Sequence, residues 1–389
     1  MDKVWAFVRE NFLGDKMIWF VVLLLFSISM LVVYSSASSL AFRSEGGTTS
    51  WYLYKQIGIS VLGILIMIIV HHLPYRFFSR ISQILWVVSL LALIYTLKWG
   101  TEINSAKRWI TLPVLNITFQ TSDMAKLALI MYLARQLSVS QEKINSFRQA
   151  LVPLVIPILL TCALIAPENL STACILFLTS VIVMFLGRVP LTHISGVCGM
   201  GGLLVGLLIL MLLFLPEDML VRRMVTWKHR IEDFMQGVQD PNDDYQVIQA
   251  KIAIVNGGFV SLNPGGSKQK NFVPHPYSDE IFATIIEEYG ILGGIIVLGI
   301  YLFFLARCIF LLIRSPNAFG ALLALGLGTS LVIQALVNMS VAVNLVPVTG
   351  VTLPLVSMGG SSVFFTSIAF GIILSVSRSI DQEEKIQEN

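Results

Sequence analysis

Charge is what this chain has least of: Asp, Glu, Lys and Arg make up 13% of its 389 residues, about half the share found in soluble globular proteins. So little charge cannot cover the two or three soluble domains that the length alone would suggest. Cysteine is scarce too, with four residues in the chain. Cys162, Cys174, Cys198 and Cys308 each sit inside an apolar run with no Cys-x-x-Cys pair, which excludes a disulfide framework and a cysteine metal cluster and leaves them as packing residues. Lys and Arg exceed Asp and Glu by 26 to 23, a surplus too small to suggest a nucleic-acid partner. No cleavable signal peptide is expected, because the first apolar run is too long and its flank of Lys3, Arg9, Asp15 and Lys16 reads as a cytoplasmic start. Nor is there a visible internal repeat of the kind that marks secondary transporters.

What the chain has instead is apolar length. Hydrophobic residues reach 56% and the mean hydropathy is +0.80. Runs long enough to span a membrane cover residues 17–40, 57–70, 81–97, 150–165, 170–186, 199–215, 285–313, 318–343 and 363–376. A weaker run over 124–137 carries Lys126 and is required by the parity of the topology. The expectation is an all-α, polytopic membrane protein of about ten transmembrane helices. It forms one membrane domain over residues 1–389, with a large extracytoplasmic loop over 216–278 between helices 7 and 8. Orientation follows from the short loops: Arg76, Arg80, Arg135, Lys143, Arg148, Arg188, Arg307, Arg314, Arg378 and Lys385 share the side of the N-terminus, which places both termini in the cytoplasm. The Lys and Arg residues of the 216–278 loop fall on the other side, as a long translocated segment permits.

The most informative stretch runs from Asn263 to Gly290, NPGGSKQKNFVPHPYSDEIFATIIEEYG. Carboxylates at a bilayer boundary lose solvation, so Asp279, Glu280, Glu287 and Glu288 are functional candidates, with Lys268, Lys270 and His275 as partners. Two compatible readings fit Asp279. Ser278 can cap the helix with both acids in its first turn, where the helix dipole favours anions; or Asp279 can act as a general base toward a sugar hydroxyl. At about 100° per residue, Glu287 shares the helical face of Glu280 and is the better second acid for a cavity, whereas Glu288 is expected to pair with another helix. Lys107-Arg108-Trp109 suits an interfacial anchor, or a clamp on phosphate oxygens. Asp123 and Lys126 read first as a structural ion pair and second as substrate contacts. Arg222-Arg223 fits anionic headgroups, and residues 245–251 a helix on the membrane surface. Residues 344–362, with Pro347, Pro354 and Gly359-Gly360, form a non-helical stretch at membrane depth, which suggests the wall of a site.

Nearly the whole chain resembles the SEDS proteins (shape, elongation, division and sporulation), the peptidoglycan polymerases typified by FtsW and RodA, and it resembles the division type more than the elongation type. The resemblance rests on Lys107-Arg108-Trp109-Ile110 followed by Gln120, Ser122 and Lys126, on residues 274–293, and on residues 338–362 with Pro347, Gly350, Leu353-Pro354, Ser357 and Gly359-Gly360-Ser361-Ser362. There are departures. Pro167-Glu168-Asn169-Leu170-Ser171-Thr172 stands where the family has Gln-Pro-Asp, Asp123 stands where Glu is common, and Tyr277 replaces the family's His before Ser278-Asp279.

The resemblance implies a glycosyltransferase of a bacterial cytoplasmic membrane that takes lipid II, an undecaprenyl-pyrophosphate-linked disaccharide pentapeptide, as donor and acceptor. It implies septal wall synthesis, with a class B penicillin-binding protein transpeptidase and other divisome proteins as partners. Asp279 carries over as the catalytic base. Lys107, Arg108, Trp109, Lys126, Lys268, Lys270, Glu287, Ser357 and Ser361 are the implied substrate-binding residues. Mg²⁺ or Mn²⁺ would suit the pyrophosphate, although no ligand motif is present. Two other readings stand beside the polymerase: a lipid II flippase, with Asp123, Lys126 and Glu168 lining a path, and a scaffold, in which Asp279 would be dispensable.

Overall fold

The computed structural model describes residues 13–43, 49–103, 106–112, 117–216, 222–236, 245–269, 272 and 277–388, so Lys270 and His275 lie outside the described residues. The chain is an all-α membrane protein with one small sheet. Its helices are α1 (Lys16–Arg43), α2 (Thr49–His72), α3 (Tyr75–Trp99), α4 (Thr121–Val139), α5 (Val152–Ile165), α6 (Leu170–Leu186), α7 (Leu191–Phe214), α8 (Arg222–Gln236), α9 (Tyr245–Gly257), α10 (Ile281–Arg314), α11 (Ala318–Ala342) and α12 (Gly360–Glu388). Among the described residues, eight helices are long and apolar enough to cross a membrane, and α6 is a shorter apolar helix of 17 residues. The weakest expected span is α4, which carries Asp123 and Lys126.

The hub is α11, buried along nearly its full length and packed on α10, α4, α6 and α12. Small residues allow the close approach: a Cβ on Gly328 would stand 2.4 Å from Cys308 Sγ of α10. At the N-terminal end, Asp15 caps α1 through Met17 N (2.8 Å) and is held by Arg307 of α10, which pins α1 to the bundle.

Two expected loops are structured. The segment between α3 and α4 folds into an antiparallel sheet, β1 (Thr101–Ile103), β2 (Ala106–Leu112) and β3 (Ile117–Gln120), in the order β1-β2-β3, with Trp109 opposite Gln120. The 216–278 loop contains α8 and α9, and α9 packs along α10, burying Ala250 and Ala253 in the core instead of lying apart from the bundle.

The outer part of α10 is broken at Gly290, where φ +75° and ψ 178° leave the helical region. That break frees backbone groups at membrane depth, where they need partners. Residues 258–263 supply them: Ile291 N donates to Gly258 O (3.0 Å), Leu292 N to Phe259 O (3.1 Å), and Asn263 N to Glu288 O (3.1 Å). The approach is so close that a Cβ on Gly257 would stand 1.9 Å from Ile286 O.

Candidate active site

The site is built around the turn at Tyr277–Glu280, just ahead of α10. The helix starts at Ile281 with no acid in its first turn, so Ser278 is not its cap. Ser278 Oγ instead donates to Asp279 Oδ1 (2.7 Å), and the part-exposed Asp279 carboxylate is spared any capping duty.

Residues 344–359 hold this turn in place. Met358 N donates to Tyr277 O (2.9 Å), Ser357 Oγ donates to Ser278 O (2.7 Å), and Asn338 Nδ2 of α11 donates to Asp279 O (2.8 Å) and Val351 O (2.7 Å). Gly350 packs so near that an added Cβ would lie 3.3 Å from Asp279 Oδ2. The stretch has little helix to satisfy its carbonyls, so side chains of the bundle do so. Tyr301 Oη donates to Pro354 O (2.6 Å), Ser29 Oγ to Val356 O (2.7 Å), Gln334 Nε2 to Thr352 O (3.0 Å) and Arg230 Nη1 to Val348 O (3.1 Å). The expected wall is therefore a brace fixed from α1, α8, α10 and α11.

Cations converge on the turn from two other elements. On β2, Lys107 N donates to Glu168 Oε2 (2.9 Å) and Arg108 Nε to Glu168 O (2.7 Å), so the α5–α6 junction orients the strand's basic pair. From α8, Arg223 Nε lies 3.6 Å from Glu168 Oε2, and Arg223 Nε and Nη2 are buried with no hydrogen-bond partner among the described residues. Burial pushes Arg108 down to about 10, Arg223 and Arg230 push the same way, and Glu168 and Asp279 oppose them. Arg230 is lowered too, by burial and by Arg223, again opposed by Asp279. These mutual effects join Arg108, Arg223, Arg230 and Asp279 in one electrostatic site; Arg108 remains cationic at neutral pH.

The other candidates fall elsewhere. Lys126 pairs with Asp123 (2.8 Å) and donates to Gln334 Oε1 (2.9 Å), beside a small cleft of about 40 Å³ shared with Ser330, Ser362 and Thr366. The Glu287 carboxylate is taken up by the neighbouring loop: it accepts from Ser267 Oγ, Lys268 N (2.9 Å) and Gln269 N (3.2 Å), which organises the loop presenting Lys268. Glu288 bonds Ser35 of α1, as expected of an acid that pairs with another helix. Ser357 also accepts from Leu353 N (2.8 Å), so its hydroxyl is taken up by the brace, whereas Ser361 Oγ is buried without a partner among the described residues. Trp109 is half-buried on β2. A protein-held Mg²⁺ or Mn²⁺ does not fit the donor set, since among the described residues no three His, Cys, Asp or Glu side chains converge.

Arg223, Arg230, Glu168 and Asn338 belong to this site, although sequence reasoning assigns them other roles or none. One signal was available: Arg223 and Arg230 are seven residues apart on an amphipathic helix and so share a face.

The sequence profile of the FtsW, RodA and SpoVE cell cycle proteins matches residues 15–382. A probable peptidoglycan glycosyltransferase FtsW of Geobacter metallireducens is 32% identical over 369 residues, covering 93% of this chain and 94% of its own. Stage V sporulation protein E of Bacillus subtilis is 30% identical over 371 residues, 94% of this chain and 97% of its own. Among solved structures, a chain of a peptidoglycan synthase complex superposes with a TM-score of 0.75 at 24% identity, covering 95% of this chain and 99% of that one. The rod shape determining protein RodA of Thermus thermophilus superposes with a TM-score of 0.65 at 23% identity, covering 94% and 97%. At that identity the two structures speak for the fold.

Proposed function

The chain belongs to the FtsW, RodA and SpoVE family of cell cycle proteins, and from that premise we propose that it is a peptidoglycan glycosyltransferase that polymerises lipid II. The observation that carries this reading is the guanidinium of Arg223, which lies 3.6 Å from Glu168 yet keeps Nε and Nη2 buried without a hydrogen-bond partner among the described residues, clustered with Arg108 and Arg230, both of which act on Asp279. Buried donors without acceptors are costly unless an anion completes them. A pyrophosphate next to a carboxylate base is the pairing that an inverting glycosyl transfer from a lipid pyrophosphate requires.

The acceptor's 4-hydroxyl attacks the anomeric carbon of the donor and its proton passes to Asp279. The bond from the anomeric carbon to the pyrophosphate oxygen breaks from the opposite face, and the electron pair leaves with undecaprenyl pyrophosphate. The arginines stabilise the charge that grows on that leaving group. Lys107 and Lys268 stand as further phosphate contacts. Any divalent ion would have to draw its ligands mainly from the substrate's phosphates, which suits the habits of Mg²⁺. The flippase alternative is less well supported, because Lys126 is tied to both Asp123 and Gln334, and Glu168 belongs to the arginine cluster instead of a path through the bundle.

The likeness to the FtsW relatives supports septal synthesis. The likeness to a chain of a peptidoglycan synthase complex supports a transpeptidase partner, which would be a class B penicillin-binding protein among the divisome proteins. Purified protein, alone and with that partner, should convert lipid II into glycan chains resolvable on a gel. Translocation of lipid II in vesicles with no polymerisation under either condition would favour the flippase.

The proposed orientation has ten crossings in a bacterial cytoplasmic membrane with both termini in the cytoplasm. In a background lacking the native cysteines, Asn256→Cys should react with an impermeant maleimide from outside, and Asn145→Cys and Gln382→Cys only after permeabilisation. The reverse pattern would place Asp279 on the wrong face for lipid II.

A further inference from the structure

The carboxyl next to the proposed base has no part in the chemistry above. Glu280 is only 2% exposed. Its Oε1 accepts from Gln246 Nε2 of α9 (3.0 Å), whereas Oε2 is buried with no partner among the described residues. A neutral carboxyl tolerates this geometry, with Oε1 as a carbonyl acceptor and one hydroxyl unmet. An ionised one would leave a charged oxygen buried without a donor, by far the larger penalty.

Among the described residues no cation makes an ion pair with Glu280: Arg108 of β2 and Arg230 of α8 act on the neighbouring Asp279 instead. The turn contributes Asp279, itself an anion. On α10, Glu287 and Glu288 are engaged with the 267–269 loop and with Ser35. On α9, Lys251 is exposed, and α11 carries no titratable side chain. Burial raises the Glu280 carboxyl to about 7, against the opposing Gln246 bond and with Asp279 adding to the rise.

We propose that Glu280 is a positioning residue for the transfer: in its neutral form it clasps α9 to the turn that carries Asp279, so that the external loop and the base are held as one unit. The inference rests on the reading of Asp279 as the base. Ionisation puts an unpaired anion in a buried position, which is relieved only by drawing the side chain toward water, and the clasp goes with it.

The sign follows from the direction of the shift. A carboxyl titrating higher in the fold than in the unfolded chain, where Glu sits at about 4.3, contributes stability that is fully present below that value. The contribution is lost as the pH rises through about 7.

The test compares full-length wild type, Glu280→Gln and Glu280→Ala, purified in detergent, by melting temperature and by lipid II polymerisation at about pH 6 and about pH 8. Wild type should melt lower and polymerise more slowly at the higher pH. Glu280→Gln, which fixes the neutral shape, should flatten both profiles. Glu280→Ala should lose activity on the order of tenfold or more at both pH values, since misplacing a reacting group is costly, and the Gln variant should recover most of that loss. Parallel melting profiles for wild type and Glu280→Gln, or a Gln variant as impaired as the Ala variant, would overturn the proposal. Melting needs no catalysis, so a failure of Asp279 as base and a failure of Glu280 as a neutral clasp give different results.

Discussion

Replacing Asp279 by Asn is expected to lower lipid II polymerisation by about 10²- to 10⁴-fold, the usual cost of losing a general base. Asparagine has nearly the shape of aspartate and can still accept the Ser278 hydroxyl, which bonds Oδ1 at 2.7 Å. The bonds that fix the turn go to backbone carbonyls: Asn338 reaches Asp279 O and Ser357 reaches Ser278 O, and neither depends on the side chain at 279. Expression, insertion and melting temperature should therefore match wild type while proton transfer is lost. Asp279→Ala should be equally inactive. Wild-type polymerisation rates in a normally melting Asp279→Asn protein would remove Asp279 from the mechanism and return the scaffold reading.

The second large effect concerns the arginines. Arg108→Lys should be nearly as damaging as Arg108→Ala, and removing one such charge-stabilising donor typically costs about 10²- to 10³-fold in kcat. Arg108 already spends Nε on Glu168 O (2.7 Å), so only a planar, forked group can hold that carbonyl and still present nitrogens to a phosphate. Lysine has a single ammonium and can do one or the other. A mere interfacial anchor behaves differently, because a long stem ending in any charge suffices. Rates at saturating lipid II with matched protein amounts separate the two. Near-wild-type activity in Arg108→Lys, with loss only in Arg108→Ala, would return Arg108 to the role of membrane anchor. Arg223→Lys should follow Arg108→Lys, since a single ammonium cannot stay beside Glu168 and also offer the donors that Nε and Nη2 hold without a hydrogen-bond partner among the described residues.

Much of the architecture was legible because it depends on local composition. Apolar length marks a span wherever the chain folds, and an acid and a lysine three residues apart meet on any helix, as Asp123 and Lys126 do. The β1-β2-β3 sheet is not legible in the sequence because β1 and β3 are only three and four residues long, and the pairing depends on partners that no periodicity reveals. The surroundings of Glu287 are hidden for a related reason: residue spacing on the helix says nothing of the 267–269 loop that reaches its carboxylate, which approaches through a turn at Gly265 and not through any helical repeat.

The sequence by itself determined the membrane class, the bundle of apolar helices and the candidacy of Asp279, because hydropathy and the cost of an acid at a bilayer surface are properties of residues and their near neighbours. Only the tertiary structure decided which charges meet. Arg108 from β2, Arg223 and Arg230 from α8 and Glu168 from the α5–α6 junction converge on a turn braced by residues 344–359. Coulomb and hydrogen-bond energies depend on distance in space, and that distance is set by how α11 and the broken α10 pack rather than by separation along the chain.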